Sequence, residues 1–282
     1  MTLLLDPRQR AMLAEMGVRT DFLPAASSDV PAAGASAEVA PAKVHRSETR
    51  HQPATPQAPS SPSAHPLASL AASAVSEMDW DALAQSVREC QACGLCKTRK
   101  NTVFGVGAPA AGPGLAPRAD WLIVGEAPGE NEDLQGEPFV GQAGRLLDNM
   151  LKALGLSRQA QGAPEASVYI LNVLKCRPPG NRNPQPEELL QCAPFLERQV
   201  ALLQPKIIVA MGRFAMQSLL KDTVPQVESM PLGKLRGQIY SYRGIPVVVT
   251  YHPAYLLRSL AEKAKAWADL CLALSRARRP QD

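Results

Sequence analysis

Six cysteines, a histidine, an asparagine and a run of carboxylates are the residues of this chain with chemistry to offer. Four of the cysteines stand in two pairs, Cys90-x2-Cys93 and Cys176-x15-Cys192, a spacing that holds a metal, either zinc or an iron–sulfur cluster. Cys96 is an alternative ligand to Cys93, and Cys271 falls on the apolar face of a helical pattern and reads as core. The run Gly125-Glu126-Ala127-Pro128-Gly129-Glu130-Asn131-Glu132-Asp133 fixes a tight turn with exposed backbone N–H groups and crowds carboxylates around it. The glycine-rich turn that follows, Gly136 to Gly144, enters a helix and can cradle a phosphate, but no nucleotide-cofactor fingerprint accompanies it. Asn172 interrupts an apolar segment. A buried amide must find partners or it costs about 1–3 kcal/mol, and it can match a base edge with an acceptor and a donor. His252 can donate a hydrogen bond to an oxygen that turns negative as a bond breaks. Taken singly, each feature also has a structural reading: an acidic loop, an amide bonded to nearby backbone, a satisfied polar histidine.

The elements that must position these residues alternate. Short apolar runs at 121–125, 168–174, 206–211 and 246–251 read as strands. Helical spacing covers 143–154, stopped by Gly155, then 186–203 opened by Pro186, 213–221, and one long helix over 256–276. Strand–helix alternation predicts a parallel sheet covered on both faces, with ligands beyond the carboxyl ends of the strands. Those ends carry Gly125 to Gly129, Asn172 to Cys176, Gly212 and His252-Pro253, which suggests a single site.

The bulk properties bound the rest. Thirty basic against 26 acidic residues give a net charge of +4, a bias compatible with nucleic acid but unable to identify it. No run approaches the ~18 apolar residues of a membrane span, and Asp6 and Arg8 break the N-terminus before a signal-peptide core can form. The expected location is the cytoplasm, where cysteines are kept as thiols or metal ligands. Three parts are expected: a short helical peptide over 1–24 capped by Asp6, an Ala/Pro/Ser-rich disordered linker over 25–76, and a globular domain over 77–282. The leading peptide is either a tethered binder of a protein partner or a frayed end.

Read in order, the motifs say more than they do singly. Gly-Glu-Ala-Pro-Gly, Gly-x-Pro-Phe-Val-Gly-x-Ala-Gly, Asn-x-x-Lys-Cys-Arg-Pro-Pro-x-Asn-Arg and His-Pro-x-Tyr-Leu-Leu-Arg follow one another at suitable spacing. Across residues 86–275 the chain resembles the family four, iron–sulfur uracil-DNA glycosylases of bacteria and archaea. The resemblance implies a three-layer αβα sandwich with a four-stranded parallel sheet. It implies an enzyme, expected as a monomer, that releases uracil from uracil-containing DNA at the start of base excision repair. The Lys-Cys-Arg-Pro-Pro motif is similar to the family's cluster loop and tips the cysteine site toward a [4Fe–4S] cluster on Cys90, Cys93, Cys176 and Cys192. That cluster would be structural, pinning the loop after Cys176 so that Arg177 and Arg182 meet phosphates.

The resemblance also implies roles in the crevice. The target base must be flipped out of the stack, at a cost of a few kcal/mol. Gly125, Ala127 and Gly129 would shape the pocket, Phe139 would stack on uracil, Asn172 would bond its pairing edge, and His252 would stabilise O2 as the base departs. Glu126 and Glu132 are the candidates to favour the cation-like sugar. A related family has Asp where this chain has Ala127, so Glu126, or Asn172 with backbone, is left to position water. Glu132 is also the candidate to exclude a C5 methyl. Leu257 and Arg258 would fill the vacated stack and grip phosphate. Three competitors remain: a non-turnover uracil-binding relative, an electron-transfer iron–sulfur protein, and a zinc-bearing nucleic-acid module. The first carries a histidine in the loop after the third cysteine, and residues 177–184 contain none.

Overall fold

A computed structural model describes residues 74–108, 112–160 and 164–278. The expected N-terminal peptide and all but the end of the expected linker lie outside the described residues.

Four strands run parallel: β1 (Trp121–Gly125), β2 (Val168–Asn172), β3 (Ile207–Met211) and, last in the chain, β5 (Ile245–Thr250). Every residue of β1, β2 and β3 is buried, as strands covered on both faces require. The sequence reading counted these four and no more. The structure adds β4 (Ile239–Tyr242), antiparallel to β5, so the sheet order is β2-β1-β3-β5-β4. This strand escaped notice because its side chains are mostly exposed and lack an apolar run. Arg243 and Gly244, both at positive φ (50° and 84°), make the two-residue hairpin turn that joins it to β5.

Alternate strand residues build two cores. Ile123, Ile170, Val209 and Val248 face α3 (Gln142–Ala153) and α8 (Lys263–Ala277). Leu122, Leu171, Ile208 and Val249 face α4 (Pro186–Leu203) and α5 (Arg213–Leu220). Helix α1 (Trp80–Glu89), N-capped by the Asp79 side chain, packs on α4 through Leu83, Val87 and Phe195. Two short helices, α2 (Glu130–Gln135) and α7 (Pro253–Leu256), sit on the strand ends, and α6 (Leu232–Leu235) closes the same rim.

The helix expected over 256–276 is shorter at its start: α8 begins at Lys263, and Leu257 to Glu262 form a break with a 3-10 turn at Leu260–Glu262 after α7, which ends at Leu256. His252-Pro253 opens a separate short helix at the sheet's rim, and the break leaves Leu257 and Leu260 exposed. The apolar periodicity ran through the break because the residues before and after it share one face by spacing alone.

Leu147 on α3 is fully buried in the first core. Truncating it, Leu147→Ala, should lower unfolding free energy by about 2–5 kcal/mol with an unchanged denaturant slope, measured by urea titration.

Candidate active site

The parallel register sets the site. Gly125 lies opposite Asn172, and Met211 opposite Thr250, so the strand ends that precede the turn, Gly212 and His252 come out at one rim. A cavity of about 760 Å³ opens there. Its wall includes Glu126, Ala127, Gly129, Glu132, Phe139, Asn172, Arg182, His252 and Arg258. Of the expected crevice residues, Gly125 lies beneath the cavity, while Arg177 and Leu257 do not line it.

Gly125 is where two side chains crowd the backbone. A Cβ there would lie 2.3 Å from Asn172 Oδ1 and 2.7 Å from the Phe139 ring, so only glycine admits both. Phe139 itself sits at φ 56°, a conformation its neighbours enforce. Arg158 donates to the carbonyls of Pro138 (2.9 Å) and Phe139 (3.3 Å) and pairs with Asp148 at 2.8 Å. Gly144 lets α3 approach so closely that a Cβ there would fall 1.8 Å from Phe139 O. The ring then stacks on His252, centroids 5.2 Å apart and planes 24° from parallel.

Glu132 is engaged. Its carboxylate accepts from the backbone N–H groups of Gly129 (3.1 Å), Val140 (3.0 Å) and Gly141 (3.4 Å). It therefore ties the first turn to the segment carrying Phe139, a clamp that spacing could not reveal. Glu126 is partly buried, which raises its carboxyl pKa, while Arg213 opposes the shift. Arg213, first residue of α5, also lines the cavity, as do Leu232, Gly233 and Tyr251. The sequence reading passed over all four. The one available signal was an arginine placed directly after a strand-end glycine, Gly212 at φ 94°.

Asn172 is 2 % exposed, and its Oδ1 has no hydrogen-bond partner. Its main-chain carbonyl accepts from Lys175 Nζ at 2.7 Å. His252 caps α7: its Nδ1 accepts from the N–H of Ala254 at 3.1 Å. An accepting Nδ1 leaves the neutral ring's proton on Nε2. Burial pushes the His252 pKa down to about 4, Glu132 countering it and Arg258 adding to it. At neutral pH the ring is thus an uncharged donor through Nε2–H.

The two loop arginines expected to be free for phosphate are already paired. Arg182 makes a two-pronged pair with Glu188 (2.9 and 2.5 Å), and Arg177 bonds Asn181 (2.8 Å) and stands 3.7 Å from Glu130. Arg182 still faces the cavity. Leu257 is 39 % exposed on the tip beyond α7, beside Arg258.

The cysteines form a second site. Cys90 at the end of α1, Cys93, Cys96, Cys176 and Cys192 on α4 line one chamber, walled by Val87, Leu95, Leu174 and Phe195. Among the described residues no three Cys, His, Asp or Glu side chains group about a single metal-ion position. Burial raises the thiol pKa of Cys93 and Cys176 and pushes Cys192 up to about 12. Cys90 adds to the rise at all three, whereas Cys96 acts on Cys93. Two sulfurs already take hydrogen bonds, Cys176 from Arg99 Nη1 (3.1 Å) and Cys192 from the N–H of Lys175 (3.4 Å). Buried thiols with apolar walls and N–H donors to sulfur suit a thiolate-bound metal group, since binding replaces each proton.

Residues 113–271 match the family model described as the uracil DNA glycosylase superfamily. A type-4 uracil-DNA glycosylase of Saccharolobus solfataricus is 43% identical over 182 residues, 63% of this chain and 76% of that one. One of Archaeoglobus fulgidus is 41% identical over 181 residues, 63% and 82% of the two chains. One of Thermotoga maritima is 38% identical over 186 residues, 65% and 85%.

His252 generates a pH dependence of stability. The unfolded chain protonates it near 6.5, the folded one only near 4, so the unfolded state binds more protons between these values. Stability should therefore fall as pH drops from 6.5 toward 4, by about 3 kcal/mol from this group. Chemical denaturation at a series of pH values should show the slope, and His252→Gln should flatten it.

Proposed function

The chain belongs to the uracil DNA glycosylase superfamily, on its type-4 side, and from that premise we propose that it hydrolyses the N-glycosidic bond of deoxyuridine in DNA. The products are uracil and an abasic site, and the reaction opens base excision repair. The observation that carries the reading is a pair of waiting groups in one cavity: the unpartnered Oδ1 of buried Asn172 and the Nε2–H of a neutral His252.

The chemistry follows from those two groups. A flipped uracil offers N3–H to Asn172 Oδ1 and O4 to the Asn172 amide N–H, an edge that cytosine reverses. As the bond from C1′ to N1 breaks, its electron pair passes into the ring and collects on O2. His252 donates there. A neutral donor held in place strengthens its bond as the charge grows and needs no prior protonation. The Phe139 ring is the apolar face against which the base stacks.

The sugar turns cation-like as the base leaves. Glu126, the carboxylate in the cavity without a backbone clamp, favours it electrostatically and can take the proton from the water that adds to C1′. Asn172 with neighbouring backbone is the alternative holder of that water, given Ala127 in the turn. Glu132 acts through the backbone it braces, setting the cavity wall at Gly129 against which a C5 methyl would press. Arg258 and Arg182 line the cavity and would meet phosphates, Arg182 while paired with Glu188, and Leu257, exposed beside Arg258, would enter the vacated stack; Arg177, outside the cavity wall, would meet phosphate only beyond it.

Cys90, Cys93, Cys176 and Cys192 would hold a [4Fe–4S] cluster. What such a group supplies is a cross-link between the segment before β1, the loop after β2 and α4. The chain's own residues do the reaction. A cytoplasmic location is the reading that fits cysteines used as metal ligands; among the described residues no helix is long and apolar enough to cross a membrane.

Two outcomes are expected. On a uracil-containing oligonucleotide, scored by alkaline cleavage of abasic sites, Asn172→Ala and His252→Ala should each slow single-turnover release by about 10²–10³-fold while DNA affinity holds. Wild-type protein that leaves the oligonucleotide intact sinks the reading. Purified protein should be brown; Cys192→Ala should lose the visible absorbance and melt earlier, whereas Cys96→Ala should keep both.

A further inference from the structure

Lys175 is 1 % exposed and heads the largest fully buried side chains of the fold. Among the described residues no carboxylate pairs with it, which is an expensive condition for an ammonium group. Instead it stands between two sites. On one side it lines the cysteine chamber, and its backbone N–H donates to Cys192 Sγ at 3.4 Å. On the other its Nζ donates to the main-chain carbonyl of Asn172 at 2.7 Å and reaches the Phe104 carbonyl at 3.5 Å.

The position of that bond matters more than its strength. β2 lies at the edge of the sheet, and Asn172 is its last residue. Beyond it Val173 and Leu174 donate to Gly125 O and Glu126 O, both at 3.0 Å, so β1 holds the chain on one side. Lys175 reaches back three residues and takes the last strand carbonyl from within. The Asn172 side chain has no bond of its own through Oδ1, and above Gly125 it has contact rather than a hydrogen bond. Its aim is therefore set by its backbone, which β1 holds on one side and Lys175 holds at the Asn172 carbonyl.

We propose that Lys175 is a positioning residue for base recognition, its ammonium seated beside the cysteine chamber and holding the Asn172 carbonyl so that the amide faces the uracil pairing edge. The proposal rests on the uracil reading above and adds a physical link between the chamber and the pocket. Thiolates of a loaded chamber would supply the negative charge that an ammonium in this place otherwise lacks, which puts the amide's orientation next to the cysteine site.

The test uses the full chain in three forms: unaltered, Lys175→Met and Lys175→Arg. Iron and acid-labile sulfide report the chamber, and single-turnover uracil release and DNA affinity are measured apart. Lys175→Met should retain iron and DNA affinity but release uracil at least about tenfold more slowly, a loss in the bound-state rate. In an Asn172→Ala background the same change should add almost nothing, since both act through one amide. An undiminished rate, or a loss that simply multiplies that of Asn172→Ala, overturns the proposal. Should Lys175→Met fail to fold or to hold iron, Lys175→Arg decides. It keeps the charge but not the ammonium geometry, and full release by it overturns the proposal. A readout independent of activity is the Asn172 side-chain amide resonance, identified by its loss in Asn172→Ala. It should shift in the Lys175 variants; an unmoved resonance overturns the positioning role even if the protein releases no uracil, a result that would by itself defeat only the uracil reading.

Discussion

The pocket depends on one crowded point, the α-carbon of Gly125. Two side chains from different parts of the chain, the Asn172 amide and the Phe139 ring, occupy the space where any other residue would carry its Cβ. That approach exists because β1 and β2 are neighbours in parallel register, with Gly125 opposite Asn172. It is held from the far side by Gly144 and Arg158, which fix Phe139 in a left-handed conformation. The reading face for a base is thus assembled by packing at a single backbone position. The bulk of both cores below, with β1, β2 and β3 wholly buried, keeps that position still.

Burial holds His252 in its neutral form, below its ordinary pKa. Two other groups at this rim sit in states that burial disfavours: Asn172 Oδ1 has no partner, and Lys175 is buried with no carboxylate pairing with it among the described residues. Each costs stability in the empty protein, and each is offset by the apolar packing around it. The same conditions make the groups useful. An unpaired acceptor gains fully when a donor arrives, and a donor in a water-poor site acts strongly on a developing charge. Chemistry and strain occupy the same few residues.

The cysteine chamber and the pocket are one construction. Loop 176–188 leaves the end of β2, passes the chamber and returns into α4, and its arginines are held by Glu188 and Asn181 on the way. Whatever fixes the cysteines also fixes that loop and, through Lys175, the end of β2.

The sequence by itself determined the kinds of residue and their order. Apolar runs bounded by glycine specified buried strands, their alternation with helices specified a parallel sheet, and a parallel sheet gathers its strand ends at one rim; that Asn172 and His252 would meet at one rim was therefore legible before any coordinates. The cysteine spacing likewise singled out four cysteines as a group, and the structure brings those four to one chamber. What only the tertiary structure decided was which polar atoms are used up and which remain. Glu132 looks like a free catalytic carboxylate until three backbone amides are found on it, and Arg182 like a free cation until Glu188 takes it. Arg213, Lys175 and the walls at Gly233 and Tyr251 have no periodicity to betray them. The break between α7 and α8 was hidden because the residues on either side share one helical face by spacing. Sequence pattern records which residues avoid water; which partners a polar group meets is settled by contacts between segments far apart in the chain.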